Sequence, residues 1–206
     1  PGYPRKYAMF ATRYGGMDLR FQQDGVWQDT PAGIAHYLEH KMFDTADGNA
    51  MQEMAKNGAE PNAFTSNAMT AYYFDCTEHF DENLRQLLSF VSVPYFTDES
   101  VAKEQGIIAQ EIGMIEDDPD WKVIMNLMAA LYQHHTIRVS VAGSVESISH
   151  ITADTLYACH KAFYDPANMV LCVAGPVDPA RICEVAREIL PRQAGPIAAK
   201  DYGRWG

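Results

Sequence analysis

Three residues that compete for protons and metal crowd one short stretch. In residues 30–43, TPAGIAHYLEHKMF, His36, Glu39 and His40 stand among mostly apolar neighbours. On a helix each residue turns by about 100°, which puts His36 and Glu39 about 60° apart and His36 and His40 about 40° apart on the other side. All three then share one arc of about 100°. Two imidazoles at i and i+4 can hold one metal ion together, and the carboxylate beside them can work as a base.

Zinc takes about four ligands, and a catalytic site keeps one position for water. Two histidines are therefore one protein ligand short, and the third must come from another element. The best candidates lie in KEQGIIAQEIG, where Glu104 and Glu111 stand seven residues apart with Ile107 and Ile108 between them. That spacing leaves the two carboxylates only about 20° apart on one helical face. Carboxylates on an apolar stripe are costly unless paired or metal-bound. Glu116 points about 140° away from Glu111 and is expected in solvent.

Other metal-like groups have plainer readings. His134-His135 follows a helix and is expected in a loop. Cys159-His160 is expected to pack, with Cys159 on the inner face. The run Glu116 to Asp120, EDDPD, holds Pro119 and lacks an EF-hand pattern, so it reads as a solvated helix break. Met51, Met54, Met125 and Met128 read as core filler.

The elements that must position these groups can be read along the chain. YAMFATRYGGMDLRF reads as strand, turn and strand around Gly15-Gly16. Thr30 is placed to cap the histidine helix, with Pro31 at its first position and its end near Phe43. A short helix ending at Gly58 follows, then one or two strands in AEPNAFTSNAMTAYYFDCT. A helix ended by Pro94 comes next, then one capped at Thr97 or Asp98 and broken at DDPD. DWKVIMNLMAALYQ reads as a helix, and SHITADTLYACHKAFY as another capped by Thr152. NMVLCVAG reads as a buried strand, and DPARICEVAREIL as the last helix. No βαβ alternation and no glycine-rich nucleotide loop appears. The fold class expected is α+β, a mainly antiparallel sheet with helices packed against it.

Bulk properties narrow the function. The 206 residues are 47% hydrophobic, enough for a full core. A net charge of −11 argues against a nucleic-acid partner and fits anionic lipid poorly. The longest apolar runs, such as Met169 to Gly175, fall short of the roughly 20 residues of a membrane helix, so no membrane partner is expected. No leader is evident, and the opening PGYPRK, without Met, is that expected of a fragment or a processed product. Four cysteines without a CxxC predict free, mostly buried thiols and a cytoplasmic location.

His-x-x-Glu-His is the inverse of the thermolysin-type motif. GIAHYLEHKMF followed by EQGIIAQE resembles the insulinase/pitrilysin family of zinc metallopeptidases, and NAFTSNAMTAYYFDC and AGSVESI strengthen the likeness. It runs from about Tyr7 to Asp178. The resemblance implies a metallopeptidase half-domain fold and zinc held by His36, His40 and Glu111. It implies Glu39 as the base that activates a zinc-bound water, with Glu104 as a helper in catalysis. It also implies that Asn62, Ala63, Phe64 and Thr65 bind the peptide substrate as an added strand.

Similar enzymes complete the active site with an Arg and a Tyr from a second homologous half, and no segment here matches that half. Residues 1–206 are thus expected to form a single zinc-binding domain, a fragment of a longer two-half enzyme, its second half supplied in cis or trans. Two other readings stand beside the endopeptidase. One is a structural or regulatory partner subunit that binds zinc. The other is a non-peptidase HxxEH lyase, which would use a cysteine as third ligand.

Overall fold

The computed structural model describes residue 2, residues 4–191 and residues 195–203. Strand β1 (Lys6–Thr12) runs into a loop at Gly15 and Gly16, then into the hairpin of β2 (Arg20–Gln23) and β3 (Val26–Asp29). Helix α1 (Ile34–Met42) carries the two histidines. The short hairpin of β4 (Asp44–Thr45) and β5 (Gly48–Asn49) leads to α2 (Ala50–Lys56), capped by Asn49. The hairpin of β6 (Glu60–Thr65) and β7 (Thr70–Cys76) comes next, followed by α3 (Phe80–Ser92).

Two consecutive helices, α4 (Asp98–Asp117) and α5 (Pro119–Leu131), meet at Asp118. Then come α6 (Val145–Ile148), α7 (Ala153–Phe163), β8 (Met169–Ala174), α8 (Pro179–Ile189) and β9 (Ala199–Lys200).

The main sheet has the order β6-β7-β1-β8, with every pairing antiparallel. Side chains alternate across it. On one face Ala8, Phe10, Tyr72 and Phe74 join the core with Leu38, Leu84, Leu88 and Leu156 from the helices. The fold is α+β, an antiparallel sheet with helices packed against it. A second sheet, β3-β2-β9, binds the segment after α8 back onto the body.

Two capping expectations hold and one does not. Thr97 and Thr152 each form a capping box at the start of α4 and α7. Thr30 does not cap α1. Its N–H and hydroxyl both donate to the Leu19 carbonyl, and α1 starts only at Ile34, after Gly33 in a left-handed conformation (φ 92°). The reason is a backbone-to-backbone clasp. A Cβ on Gly33 would overlap the Ala142 carbonyl, and one on Gly143 would overlap that of Ala32. The Ser147 hydroxyl adds a bond to the Ala32 carbonyl at 2.8 Å.

Three burial expectations are corrected. Strand β8 is an edge strand with an alternating, half-exposed pattern, and Val170 on it is 54% exposed. A short apolar run has no period that separates a fully buried strand from a half-buried one. Helix α5 leaves Val123, Leu127 and Leu131 exposed, and its Met125 and Met128 are only partly buried. Cys76 and Cys159 are buried, but Cys172 and Cys183 are exposed. Asp118 of the EDDPD run is exposed and also works as a cap, accepting the Asp120 and Trp121 amides ahead of Pro119. No described helix is long and apolar enough to cross a membrane.

Candidate metal centre

Helix α1 lies between the core, α4 and β6. Ile34, Ala35, Leu38 and Met42 face the core. Two polar ties fix α1 against α4: the Tyr37 hydroxyl donates to the Val101 carbonyl, and the buried Lys41 ammonium reaches Asp44 and the Ser100 carbonyl. Along α4 the residues turned inward include Val101, Glu104, Ile108, Ile112 and Ile115, with Glu111 more exposed than Glu104. Ile108 is buried as expected, whereas Ile107 is 49% exposed.

This packing brings the predicted ligands together. His36 Nε2 lies 3.4 Å from Glu111 Oε1, and His40 Nε2 lies 3.4 Å from Glu111 Oε2. The rings of His36 and His40 meet edge to face with centroids 4.6 Å apart. Among the described residues, these three form the group of His, Cys, Asp or Glu side chains able to share an ion. Bonds of about 2.1 Å in a tetrahedral zinc site separate ligand atoms by about 3.4 Å. Two imidazoles and a carboxylate at that spacing fit zinc. The group holds no cysteine, so the ligand set of an HxxEH lyase is not met.

Glu104 sits behind the pair. Its Oε1 accepts from His40 Nδ1 at 3.0 Å, which leaves His40 Nε2 free to face Glu111. Among the described residues His36 has no such support, and its Nδ1 is buried without a hydrogen-bond partner. Glu39 is buried, and its Oε2 accepts the Thr65 hydroxyl at 2.5 Å. Glu116 is exposed, as expected.

The surroundings tune each group. Burial, then the neighbouring His40, pull His36 below the usual imidazole value. Burial pulls His40 the same way, but the Glu104 hydrogen bond and the charges of Glu39 and Glu111 outweigh it and raise His40. Burial raises the Glu39 carboxyl, opposed by the Thr65 hydrogen bond and by His40. The hydrogen bond to His40 lowers Glu104.

The predicted substrate strand is β6, at the end of the main sheet with its far edge unpaired among the described residues. Asn62 and Phe64 are exposed, while Ala63 and Thr65 are half-buried and turned inward. Asn62 Oδ1 accepts the Ala63 N–H at 2.8 Å, and Pro61 occupies the strand as edge strands allow. His134 is exposed beyond α5, and His135 accepts the Ile137 amide through Nδ1. Cys159 is buried and His160 bonds the Val91 carbonyl, both as packing groups.

Comparison with known proteins bears on this arrangement. Residues 23–145 match Insulinase (Peptidase family M16), and residues 150–200 match the Peptidase M16 inactive domain. The chain belongs to the M16 insulinase family of peptidases.

It is 49% identical over 189 residues to the uncharacterized zinc protease YmfH of Bacillus subtilis (strain 168), covering 91% of this chain and 44% of that protein. It is 32% identical over 208 residues to the uncharacterized zinc protease ML0855 of Mycobacterium leprae (strain TN), covering 90% and 46%. The crystal structure of a putative M16-like peptidase from Alicyclobacillus acidocaldarius superposes with a TM-score of 0.91 at 42% identity, covering 98% of this chain and 48% of that one. A protease from Helicobacter pylori shares the fold, with a TM-score of 0.80 at 19% identity over 94% of this chain and 48% of that one. The chain thus spans about half the length of the relatives it matches.

Proposed function

We propose that the chain is the zinc-bearing half of a metalloendopeptidase. The observation that carries the reading is the matched 3.4 Å approach of His36 Nε2 and His40 Nε2 to Glu111, with Glu39 on the same helix face. In this reading His36, His40 and Glu111 hold zinc, which supplies a Lewis acid that acidifies water and polarises the scissile carbonyl. Glu39 takes the proton of the attacking water and passes it to the leaving amine. With Oε2 engaged by Thr65, Oε1 is the atom that moves the proton. Its raised pKa suits a base that must later act as an acid. Glu104 holds the His40 ring in the tautomer that presents Nε2.

The free edge of β6 takes the peptide as an added strand through its backbone, which demands little of the peptide's sequence. A second homologous half, in the same chain or another, completes the centre. Four free thiols support a cytoplasmic setting.

The deciding experiment measures zinc content and hydrolysis of an unstructured peptide, with and without the remaining polypeptide. Wild type is expected to carry one zinc per chain and to cleave once complemented. Glu39→Gln should keep the zinc and lose about 100-fold or more in kcat. A fully active Glu39→Gln protein would sink the mechanism.

The match of residues 150–200 to the inactive domain supports a second reading, a structural or regulatory partner subunit that binds zinc and needs a second half for activity. Zinc retention with no hydrolysis in the complemented protein would favour it.

A further inference from the structure

The Thr65 hydroxyl is the direct link between the edge strand and the proposed base. It donates to Glu39 Oε2 at 2.5 Å across 26 residues of sequence. Thr65 ends β6, paired with Thr70 at the closed end of the hairpin. The Thr70 hydroxyl, fully buried, donates to the Tyr14 carbonyl at 2.9 Å and lies 3.4 Å from Thr65 Oγ1.

The turn that follows is anchored from below. Gly16 N–H donates to the Ser66 carbonyl and Met17 N–H to the Asn67 carbonyl, each at 2.9 Å. A Cβ on Gly15 would stand 2.6 Å from the Asn67 carbonyl carbon and 2.7 Å from the Ala68 nitrogen, so the two backbones touch because residue 15 has no side chain. Asp18 holds the Gly15 amide at 2.8 Å and pairs with Lys200 of β9 at 3.0 Å, both side chains being buried. Successive contacts therefore run from β9 through the Gly15–Asp18 loop and the hairpin turn to Thr65 and Glu39.

We infer that Thr65 is a positioning residue for Glu39, held in place by the docking of the β6–β7 turn on the Gly15–Asp18 loop. The inference rests on the functional reading above for the role of Glu39. Its physical content is geometric. A carboxylate that must meet a water within hydrogen-bond reach gains rate from being fixed before the substrate arrives. One hydroxyl on one carboxylate oxygen restricts rotation of the carboxylate and leaves the other oxygen free. Because the same residue closes the peptide-binding strand, the docked substrate and the base share one support.

The test uses the complemented, zinc-loaded protein and the best-cleaved member of an internally quenched peptide pool. Thr65→Val removes the hydroxyl at nearly constant shape, and Thr65→Ser keeps it. Thr65→Val is expected to lower kcat by about tenfold or more, with KM within about twofold of wild type and the zinc content unchanged. Thr65→Ser should keep most of kcat. Equal kcat in Thr65→Val and wild type would overturn the inference, as would equal loss in the Ser and Val variants.

A readout free of turnover is the crystal structure of Thr65→Val. A Glu39 carboxylate rotated from its wild-type position is expected, and an unmoved one overturns the inference. If the complemented wild type cleaves no peptide, the functional reading fails, while the position of Glu39 in the variant still decides for or against the support that Thr65 gives.

Discussion

His40 stands between two glutamates of one helix, with Glu104 at Nδ1 (3.0 Å) and Glu111 facing Nε2 (3.4 Å). The ring thus distinguishes two carboxylates that share a helix face. In the proposed centre one orients the imidazole and the other completes the ligand set.

That division predicts unequal losses. Glu104→Gln should weaken zinc binding by about 10–100-fold, the range typical of a group that supports a ligand. Glu111→Gln removes a ligand outright and should weaken it further. Competition with a chromophoric chelator measures both, and equal affinities for the two variants would contradict the assignment.

Zinc should also stabilise the fold, because in the proposed centre it would join His36 and His40 of α1 to Glu111 of α4. At a free zinc concentration of 1,000 times Kd, ligation adds about 4 kcal/mol. A chelator is therefore expected to lower the unfolding midpoint of wild type markedly and that of Glu111→Gln much less. A chelator-insensitive wild type would count against the site.

The edge of β6 can be tested without touching the metal. Ala63→Pro removes the N–H that Asn62 now covers, in a strand that already holds Pro61. Losing one backbone hydrogen bond to substrate should cost up to about tenfold in kcat/KM. Zinc content should not change. Unaltered kinetics would place the substrate elsewhere.

Gly15 bears on folding. Gly15→Ala forces a Cβ into the backbone of the 66–68 turn. Overpacking of this kind typically costs about 1–3 kcal/mol, visible as a lower urea midpoint. A midpoint equal to wild type would show that the loop can yield.

His160, outside the proposed ligand set, gives a further pH dependence. It is buried, bonded to the Val91 carbonyl and stacked on Tyr164, and burial lowers its pKa. Unfolded histidine titrates near about 6.5. Between that value and the lower folded one, the unfolded chain binds the extra proton. Stability contributed by His160 is therefore lost as pH falls through about 6.5, with a slope of at most about 1.4 kcal/mol per pH unit. His160→Gln, which keeps a donor but cannot take the proton, should show a shallower fall in urea midpoint from neutral to mildly acid pH. The same slope in both proteins would refute this.

Local sequence determined which residues share a face. The spacing of His36, Glu39 and His40 put two imidazoles and a carboxylate on one arc, and the seven-residue step from Glu104 to Glu111 did the same for α4. Thr97 and Thr152 announced their helices because a cap acts within one turn. The composition of YAMFATRYGGMDLRF and AEPNAFTSNAMTAYYFDCT announced β1, β6 and β7 as strands.

What those faces would meet was decided only by the tertiary structure. Gly33 delays the start of α1 because the Ala142 carbonyl lies against it, a contact more than 100 residues distant in sequence. β8 reads as a buried strand and lies at an edge, because burial of its second face depends on neighbours its own residues do not specify. Glu104 and Glu111 look alike in sequence, but Glu104 reaches Nδ1 of His40 alone, whereas Glu111 faces Nε2 of both His36 and His40. The bond from Thr65 to Glu39 left no local trace, since a threonine ending a strand looks the same whether or not a carboxylate faces it. Periodicity is a property of one element and its backbone geometry. A site made of α1, α4 and β6 is a property of how three elements pack, and long-range contacts set that.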